Sequence, residues 1–198
     1  MRKRVIIVAI IFALIFSFFY YKNQKLGNTI IKFNEEKVIE NILNGKFAYQ
    51  AEAIVTVYSN KNENEYQLKM KENGENSLLE AIGDNRITGL RIENNGEDLM
   101  VKNTKLKLDK IYENYQEMTD NSLLLSSFAK DYQETDKKTE EEKEGTIRIK
   151  ITLKNGNRYI KYKELYLDKN TGIPQKLVIE DSSNNPKIII RYTRLEML

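Results

Sequence analysis

Two residue types that serve many protein functions are missing from this chain of 198 residues, which contains neither cysteine nor histidine. Without cysteine the chain forms no disulfide, has no thiolate nucleophile and cannot be lipidated at an N-terminal cysteine. Without histidine it has no imidazole base, and without both it lacks the usual ligands of zinc and other transition metals. Carboxylate pairs or a serine–lysine dyad are the catalytic chemistry that remains.

A surplus of basic residues is also missing from most of the chain. The formal net charge is +3, but Arg2, Lys3, Arg4 and Lys22 supply four positive charges, so the rest of the chain carries about −1. Nucleic-acid-binding domains use a clear excess of lysine and arginine to displace counterions from phosphates. We therefore predict no nucleic-acid partner.

A long hydrophobic run lies at the beginning of the chain. Residues 5–21 (VIIVAIIFALIFSFFYY) follow a basic tetrapeptide, residues 1–4 (MRKR). The run reaches the lower end of the roughly 17 to 25 residues that cross a bilayer, and its basic flank orients that end toward the cytoplasm. A cleavable signal peptide would place small residues where residues 18–21 are aromatic. The sequence predicts a single-pass membrane anchor that is not cleaved.

This leader divides the chain into four parts. We expect a cytoplasmic basic tip at residues 1–4, the transmembrane anchor or uncleaved signal segment at residues 5–21, a linker at residues 22–33 and an extracytoplasmic domain at residues 34–198. The roughly 175 residues beyond the anchor suit one hydrophobic core rather than two. The predicted location is a membrane, with the domain on its outer side.

Helical periodicity is found in two segments. The first can be capped by Asn34, with Phe33 as its hydrophobic staple, and can end at Gly45. The second can be capped by Asp120 and runs to about Tyr132. Each has an apolar stripe on one face, so each helix is expected to pack on another element.

Most of the remaining sequence alternates apolar and polar residues with a period of two, which is typical of strands that bury one face. The clearest alternation spans residues 147–153, where isoleucine or leucine alternates with charged residues and threonine. Asparagine–glycine dipeptides at residues 73–74, 95–96 and 155–156 indicate turns between strands. The charge-dense residues 134–144 (ETDKKTEEEKE) predict a solvated loop, and the alternative is an acidic recognition patch.

Together these patterns predict an α+β fold with a strongly curved antiparallel β-sheet, a half-open barrel, of about eight to ten strands. We expect the helices to pack on the concave face of this sheet. The predicted N-terminal transmembrane helix precedes the domain.

A turn near the carboxyl terminus carries a more specific resemblance. Residues 165–177 read LYLDKNTGIPQKL, with Asp168, Thr171, Gly172 and Pro174 in the order of an Asp-x-x-Thr-Gly-x-Pro turn. This turn between two strands resembles the end of the LolA, LolB and RseB superfamily. The four residues are interpreted as structural, because glycine can adopt positive φ, proline keeps the preceding residue extended and aspartate accepts local backbone hydrogen bonds.

Within that superfamily the chain is most similar to the clostridial germination lipoproteins of the GerS type. The resemblance implies a LolA-like fold and a non-catalytic role as partner of the spore amidase CwlD, which makes muramic-δ-lactam in cortex peptidoglycan. The chain departs from the GerS type by lacking a lipobox cysteine, so the apolar run would replace the lipid as tether. We therefore expect a membrane-anchored binding protein of the cell or spore envelope. Its expected role is that of a partner or activator of an N-acetylmuramoyl-L-alanine amidase needed for germination, with exposed tyrosines as contact residues.

Two further hypotheses stay open. A lipid or lipoprotein carrier or sensor would hold an acyl chain in the concave sheet. Its pocket would be lined by residues that would equally form an ordinary core, namely Leu124, Phe128, Ile147, Ile149, Ile151 and Leu153. An enzyme such as a carboxylate-dependent glycosidase is the third hypothesis, but no spacing in the sequence places two carboxylates across a cleft. We predict no catalytic residue, no metal ligand and no cofactor.

Overall fold

The computed structural model describes residues 35–59, 62–84, 86–103, 105–113 and 122–198. None of the helices in these residues is long and apolar enough to cross a membrane.

Several predictions fall on residues that the structure does not describe. They are the anchor at residues 5–21, the staple Phe33 and the helix cap Asn34. They stay predictions.

The described residues form two helices and eleven strands. The helices are α1 (Glu35–Leu43) and α2 (Leu125–Glu134). The strands are β1 (Ala48–Tyr58), β2 (Glu63–Asn73), β3 (Asn76–Ile82), β4 (Leu90–Asn95), β5 (Leu99–Asn103), β6 (Leu108–Tyr112), β7 (Lys138–Lys143), β8 (Thr146–Thr152), β9 (Tyr162–Asp168), β10 (Pro174–Glu180) and β11 (Pro186–Met197).

All eleven strands belong to one antiparallel sheet. Their spatial order is β6-β5-β4-β3-β2-β1-β11-β10-β9-β8-β7, so the first and last strands meet in the middle of the sheet. Ala53 of β1 pairs with Tyr192 of β11 at this junction. The predicted curved antiparallel sheet with two helices is confirmed, with eleven strands in place of the eight to ten expected.

The hydrophobic core lies on the face of the sheet that both helices cover, here called the helix face. In β1, Tyr49, Ala51, Ala53 and Val55 are buried on this face, as period-two alternation requires. The core continues into β8, β9 and β10 and includes Ile42 of α1 together with Leu125 and Phe128 of α2. The opposite face of the sheet is called the outer face.

The turn between β2 and β3 follows the prediction made from its asparagine–glycine pair. Strand β2 ends at Asn73, and Gly74 adopts a φ of +61° before β3 begins at Asn76. The left-handed conformation favours glycine at this position because a Cβ atom would be strained there.

Two segments differ from the predictions. The charge-dense segment predicted as a loop contains strand β7, which pairs with β8 although all its residues are exposed. Helix α2 begins only at Leu125, and its N-cap is Leu124, which makes no side-chain hydrogen bond, so the predicted cap Asp120 is wrong. An exposed edge strand and a helix start are decided by backbone pairing and tertiary contacts, which leave a weak pattern in the side chains.

Candidate functional site

The residues predicted to line an apolar pocket all lie on or beside the hydrophobic core. The buried ones are Leu124, Phe128, Ile149, Ile151 and Leu153, with exposed fractions between 0 and 9%. Ile147 is partly buried and packs against the same cluster. Leu124 also borders a surface depression of about 330 Å³ beside the start of α2. The structure thus brings the six residues together as one packed group, and the acyl pocket stays a prediction.

A buried lysine on the helix face was missed by sequence reasoning. Lys163 of β9 is 2% exposed, and its Nζ donates hydrogen bonds to Ser127 Oγ at 2.7 Å and to Asp131 Oδ2 at 2.5 Å. Both acceptors belong to α2, so the contacts join that helix to the sheet. The sequence did contain a signal for this burial, because Lys163 lies in the same row of every second residue as Leu165 and Leu167, which face the core.

The contact between Ser127 and Lys163 has the composition of a serine–lysine dyad but not the geometry of a working one. A dyad needs a neutral amine to take the serine proton. Here the ammonium group is paired with the carboxylate of Asp131, and Ser127 is only 2% exposed. We interpret the three residues as a structural link between helix and sheet.

A second buried polar group lies where α2 begins. Glu72 of β2 is 3% exposed and pairs across the sheet with Tyr49 of β1. Its Oε2 accepts a hydrogen bond of 3.3 Å from the backbone N–H of Ser126, in the first turn of α2. The hydroxyl groups of Tyr49 and Tyr192 are buried without a hydrogen-bond partner in the described part of the chain.

Burial sets the electrostatics of this group. It raises the pKa of Glu72, and the hydrogen bond from Ser126 offsets only part of that effect. Burial, with the neighbouring Tyr192 and Glu72, also raises the pKa of Tyr49, and burial raises that of Tyr192. All three groups are therefore pushed toward their neutral forms.

The outer face of β8, β9 and β10 carries a network of paired charges. Arg148 donates two hydrogen bonds to Glu164, at 3.0 and 2.6 Å, while Lys150 bridges Glu164 at 2.9 Å and Glu180 at 2.8 Å. Burial disfavours the ionised form of Glu164, but hydrogen bonds from Arg148, Tyr166 and Lys150 outweigh it and lower its pKa from 4.5 to about 2. Each charged group of this network therefore has an oppositely charged partner within the network.

The outer face of β11, β1, β2 and β3 differs because three of its cations are unpaired. Lys69, Lys71 and Arg194 are exposed, and none of them forms an ion pair with another described residue. They line a depression of about 330 Å³, and an adjoining depression of about 420 Å³ shares Lys71 and Leu78 with it. The second depression extends over Met100 and Ile111. We call the two together the outer groove.

The predicted turn motif lies beneath α1. Asp168 Oδ1 accepts hydrogen bonds of 3.0 Å from the backbone N–H groups of Asn170 and Thr171, and another of 3.0 Å from the Thr171 hydroxyl. Gly172 has a φ of +69°, and a Cβ atom there would lie 2.8 Å from the carbonyl oxygen of Glu35. Pro174 is buried and begins β10. The turn therefore forms both a strand connection and the seat of the first helix.

The acidic residues do not form a metal site within the described residues, where no group of three or more potential ligand side chains converges. Asp168 is engaged by the backbone of its own turn, and Glu164 by Arg148 and Lys150. The arrangement offers polar binding surfaces and no visible reaction centre among these residues.

Comparison with protein families gives one assignment. The family model described as sporulation protein YdcC-like matches residues 1–197. A comparison with curated proteins found no match.

Two of the similar solved structures share this fold with TM-scores above 0.5. The GerS lipoprotein chain, solved in complex with the CwlD amidase from Clostridioides difficile, is 22% identical and has a TM-score of 0.53, covering 89% of this chain and 93% of that one. An uncharacterized conserved protein from Thermus thermophilus is 9% identical, with a TM-score of 0.51 and coverage of 83% and 85%. A LolA superfamily protein from Nitrosomonas europaea is 11% identical, with a TM-score of 0.38 and coverage of 81% and 92%. The resemblance predicted from the carboxyl-terminal turn is confirmed.

Proposed function

Because the chain belongs to the YdcC-like family of sporulation proteins, we propose that it is a GerS-like binding protein of the spore envelope that docks a cortex peptidoglycan amidase of the CwlD type. The observation that carries the proposal is the shared fold with GerS, a protein solved in complex with such an amidase. The likeness extends over 89% of this chain. The expected role is to hold or activate the amidase during formation of the germination-competent cortex.

The chemistry of the described residues supports a binding role without catalysis. The whole chain has no histidine and no cysteine. Ser127 and Lys163 are each 2% exposed, Lys163 is paired with the carboxylate of Asp131, and Glu164 is enclosed by its cationic partners. A substrate would have no free nucleophile or base to meet at these positions.

The outer groove is the docking surface that we propose. It combines the unpaired cations Lys69, Lys71 and Arg194 with the partly buried apolar side chains Leu78 and Met100. An apolar centre with a charged, solvated rim is the usual composition of a protein interface. Charges without an internal partner are free to pair across such an interface, where they favour correct orientation and fast association.

We also propose that residues 5–21 anchor the protein in a membrane and that residues 34–198 lie on the extracytoplasmic side. Anchoring would raise the effective concentration of the domain near an envelope enzyme. The experiment is fractionation of sporulating cells followed by protease treatment of intact forespores or protoplasts. Recovery of the full-length protein from the soluble cytoplasmic fraction would contradict the anchor.

The partner is tested by affinity purification of the tagged full-length protein from detergent-solubilised membranes of sporulating cells. Mass spectrometry of the eluate is expected to identify an N-acetylmuramoyl-L-alanine amidase. A groove variant (Lys69→Ser, Lys71→Ser, Arg194→Ser) should lose the amidase. A matched control that removes three unpaired cations elsewhere (Lys137→Ser, Lys154→Ser, Arg158→Ser) should retain it.

The amidase partner and the docking surface are tested separately. If the unaltered protein brings down no amidase, the partner role is wrong. If the groove variant and the control retain the amidase equally, the outer groove is not the docking surface.

A further inference from the structure

Five cations gather at one end of the sheet, where β7 and β9 begin and β8 ends. The members of this basic end are Lys137, Lys138, Lys154, Arg158 and Lys161. Backbone hydrogen bonds bring their segments side by side, from Thr152 N–H to Lys137 C=O at 3.0 Å and from Leu153 N–H to Lys161 C=O at 3.0 Å. Adjacent strands lie about 4.8 Å apart, so the five side chains start within a width of roughly 15 to 20 Å.

These cations are not neutralised by the described residues. None of the five forms an ion pair there, whereas the nearest buried acids have other partners: Glu180 is bound by Lys150 at 2.8 Å and Asp181 by Lys187 at 3.1 Å. Two exposed acids, Glu134 and Asp136, belong to the same end of the fold. The basic end therefore keeps a positive surplus in a chain that carries about −1 beyond Lys22.

An exposed tyrosine stands in the loop at the centre of this surface. Tyr159 is 58% exposed, and the Arg158 guanidinium lies 4.5 Å from the centre of its ring. The loop is held in place because Asn157 Oδ1 accepts hydrogen bonds from the backbone N–H groups of Tyr159 at 2.8 Å and Ile160 at 3.1 Å. A hydrogen bond of 3.2 Å from Ser182 N–H to Arg158 C=O ties it to the next loop. The aromatic ring is thus presented without further ordering of the backbone.

We propose that the basic end docks on an anionic lipid surface, with its lysines and arginine on headgroup phosphates and Tyr159 at the bilayer interface. None of its five cations lines the outer groove or the depression beside α2, and all of them except the partly buried Lys161 are exposed. An exposed basic surface fits a plane of distributed negative charge, and tyrosine favours the boundary between headgroups and acyl chains. The proposal does not depend on an amidase partner.

The basic end also faces away from the place where the chain enters the described domain. Glu35, the first described residue, lies against Gly172, which is in the turn after the last residue of β9. Lys161 lies at the opposite end of β9, just before its first residue. The lipid is offered as a separate bilayer, so that binding by the basic end is measured apart from the proposed anchor.

The experiment uses the full-length protein reconstituted in nanodiscs of neutral phosphatidylcholine. These are mixed with sucrose-loaded vesicles of phosphatidylcholine containing roughly one-third phosphatidylglycerol, or of phosphatidylcholine alone, and sedimented. We expect binding to the anionic vesicles only, lost when the salt concentration is raised to about 0.5 M. Lys137→Ser, Lys154→Ser, Arg158→Ser is expected to weaken binding about 100-fold, since each basic residue near a lipid surface contributes roughly fivefold.

The groove variant (Lys69→Ser, Lys71→Ser, Arg194→Ser) is the matched control and should bind the anionic vesicles like the unaltered protein. Tyr159→Ser should weaken binding to vesicles while leaving capture by soluble polyphosphate unchanged. Equal sedimentation with neutral and anionic vesicles would overturn the proposal, as would equal loss in the two triple variants. If polyphosphate competes fully and Tyr159→Ser has no effect on vesicle binding, the ligand is a soluble polyanion and the lipid assignment is wrong.

Discussion

The Nζ atom of Lys163 and the Oδ2 atom of Asp131 lie 2.5 Å apart, and this ion pair joins strand β9 to helix α2. The lysine side chain is 2% exposed, whereas the aspartate side chain is 20% exposed. Replacement of the anion would leave the cation buried without an anionic partner, which costs about 3–5 kcal/mol. We predict that Asp131→Ala lowers the free energy of unfolding by this amount, measured by urea denaturation with far-ultraviolet circular dichroism.

The double variant Lys163→Met, Asp131→Leu tests the same ion pair by removing both charges. Because both charges are removed together, its loss of stability should be smaller than that of Asp131→Ala. A double variant less stable than Asp131→Ala would show that the pair contributes more than the burial of its charges costs.

Gly172 permits the close approach of α1 to the β9–β10 turn. An alanine there would adopt an unfavourable φ of +69° and bring its Cβ to 2.8 Å from the Glu35 carbonyl oxygen. Gly74 is the matched control, since it has a similar φ of +61° but no atom within 4 Å of an added Cβ. We expect Gly74→Ala to cost about 1–2 kcal/mol from backbone conformation alone and Gly172→Ala distinctly more. Equal losses in thermal or urea unfolding would contradict a tight contact between the turn and the helix.

Glu164 makes stability fall in acid. Its pKa is lowered from 4.5 to about 2 in the folded state, so its ionised form stabilises the fold fully above pH 4.5 and progressively less as the pH falls toward 2. Glu164→Gln should remove this part of the pH dependence, measured as the slope of unfolding free energy against pH in that window. Glu63→Gln, at the exposed start of β2, is the control and should keep the slope.

Glu72 acts with the opposite sign. Burial raises its pKa in the folded state, so its contribution favours folding at low pH and is lost as the pH rises from 4.5 through the raised value. We predict that Glu72→Gln increases the melting temperature at neutral pH, because the amide oxygen can still accept the hydrogen bond from Ser126 without a buried charge. The gain should shrink as the pH is lowered. A gain over the unaltered protein that is larger at pH 4 than at pH 7 would contradict this sign.

The predicted acyl-pocket residues lead to an expectation for bound lipid. Phe128, Ile149 and Ile151 are at most 1% exposed and belong to the same cluster of core residues. Native mass spectrometry of the full-length protein, released from detergent micelles in the gas phase, is expected to give the mass of the bare chain. A stoichiometric lipid adduct that survives detergent exchange would favour the carrier hypothesis.

Local patterns predicted most of the sheet for a physical reason. Residues such as Ala51, Ala53 and Ile149 alternate with polar neighbours because one face of their strands is exposed to solvent. A period of two residues is visible in any short window of the sequence. Strand β7 was missed because an exposed edge strand is held by backbone hydrogen bonds and by none of the burial that creates a pattern.

The buried polar residues were harder to predict. Lys163 and Glu72 occupy core-facing positions in their strands, but a single charged residue in an alternating row does not indicate what will neutralise it. Their partners, Asp131 and Ser126, come from α2, which is distant in sequence. The outer groove likewise depends on the strands from β11 to β6 lying side by side.

The period and capping signals of single segments determined the element types and the core-facing residues, because backbone geometry repeats over two or about four residues whatever the rest of the chain does. Which elements became neighbours was decided only in the folded state. The pairing of β1 with β11 closes a contact between the two ends of the described domain, and its free energy comes from side chains that meet only after the intervening strands are in place. For the same reason, the joining of Lys163 to Asp131 and the clustering of five cations at one end of the sheet belong to the tertiary structure alone.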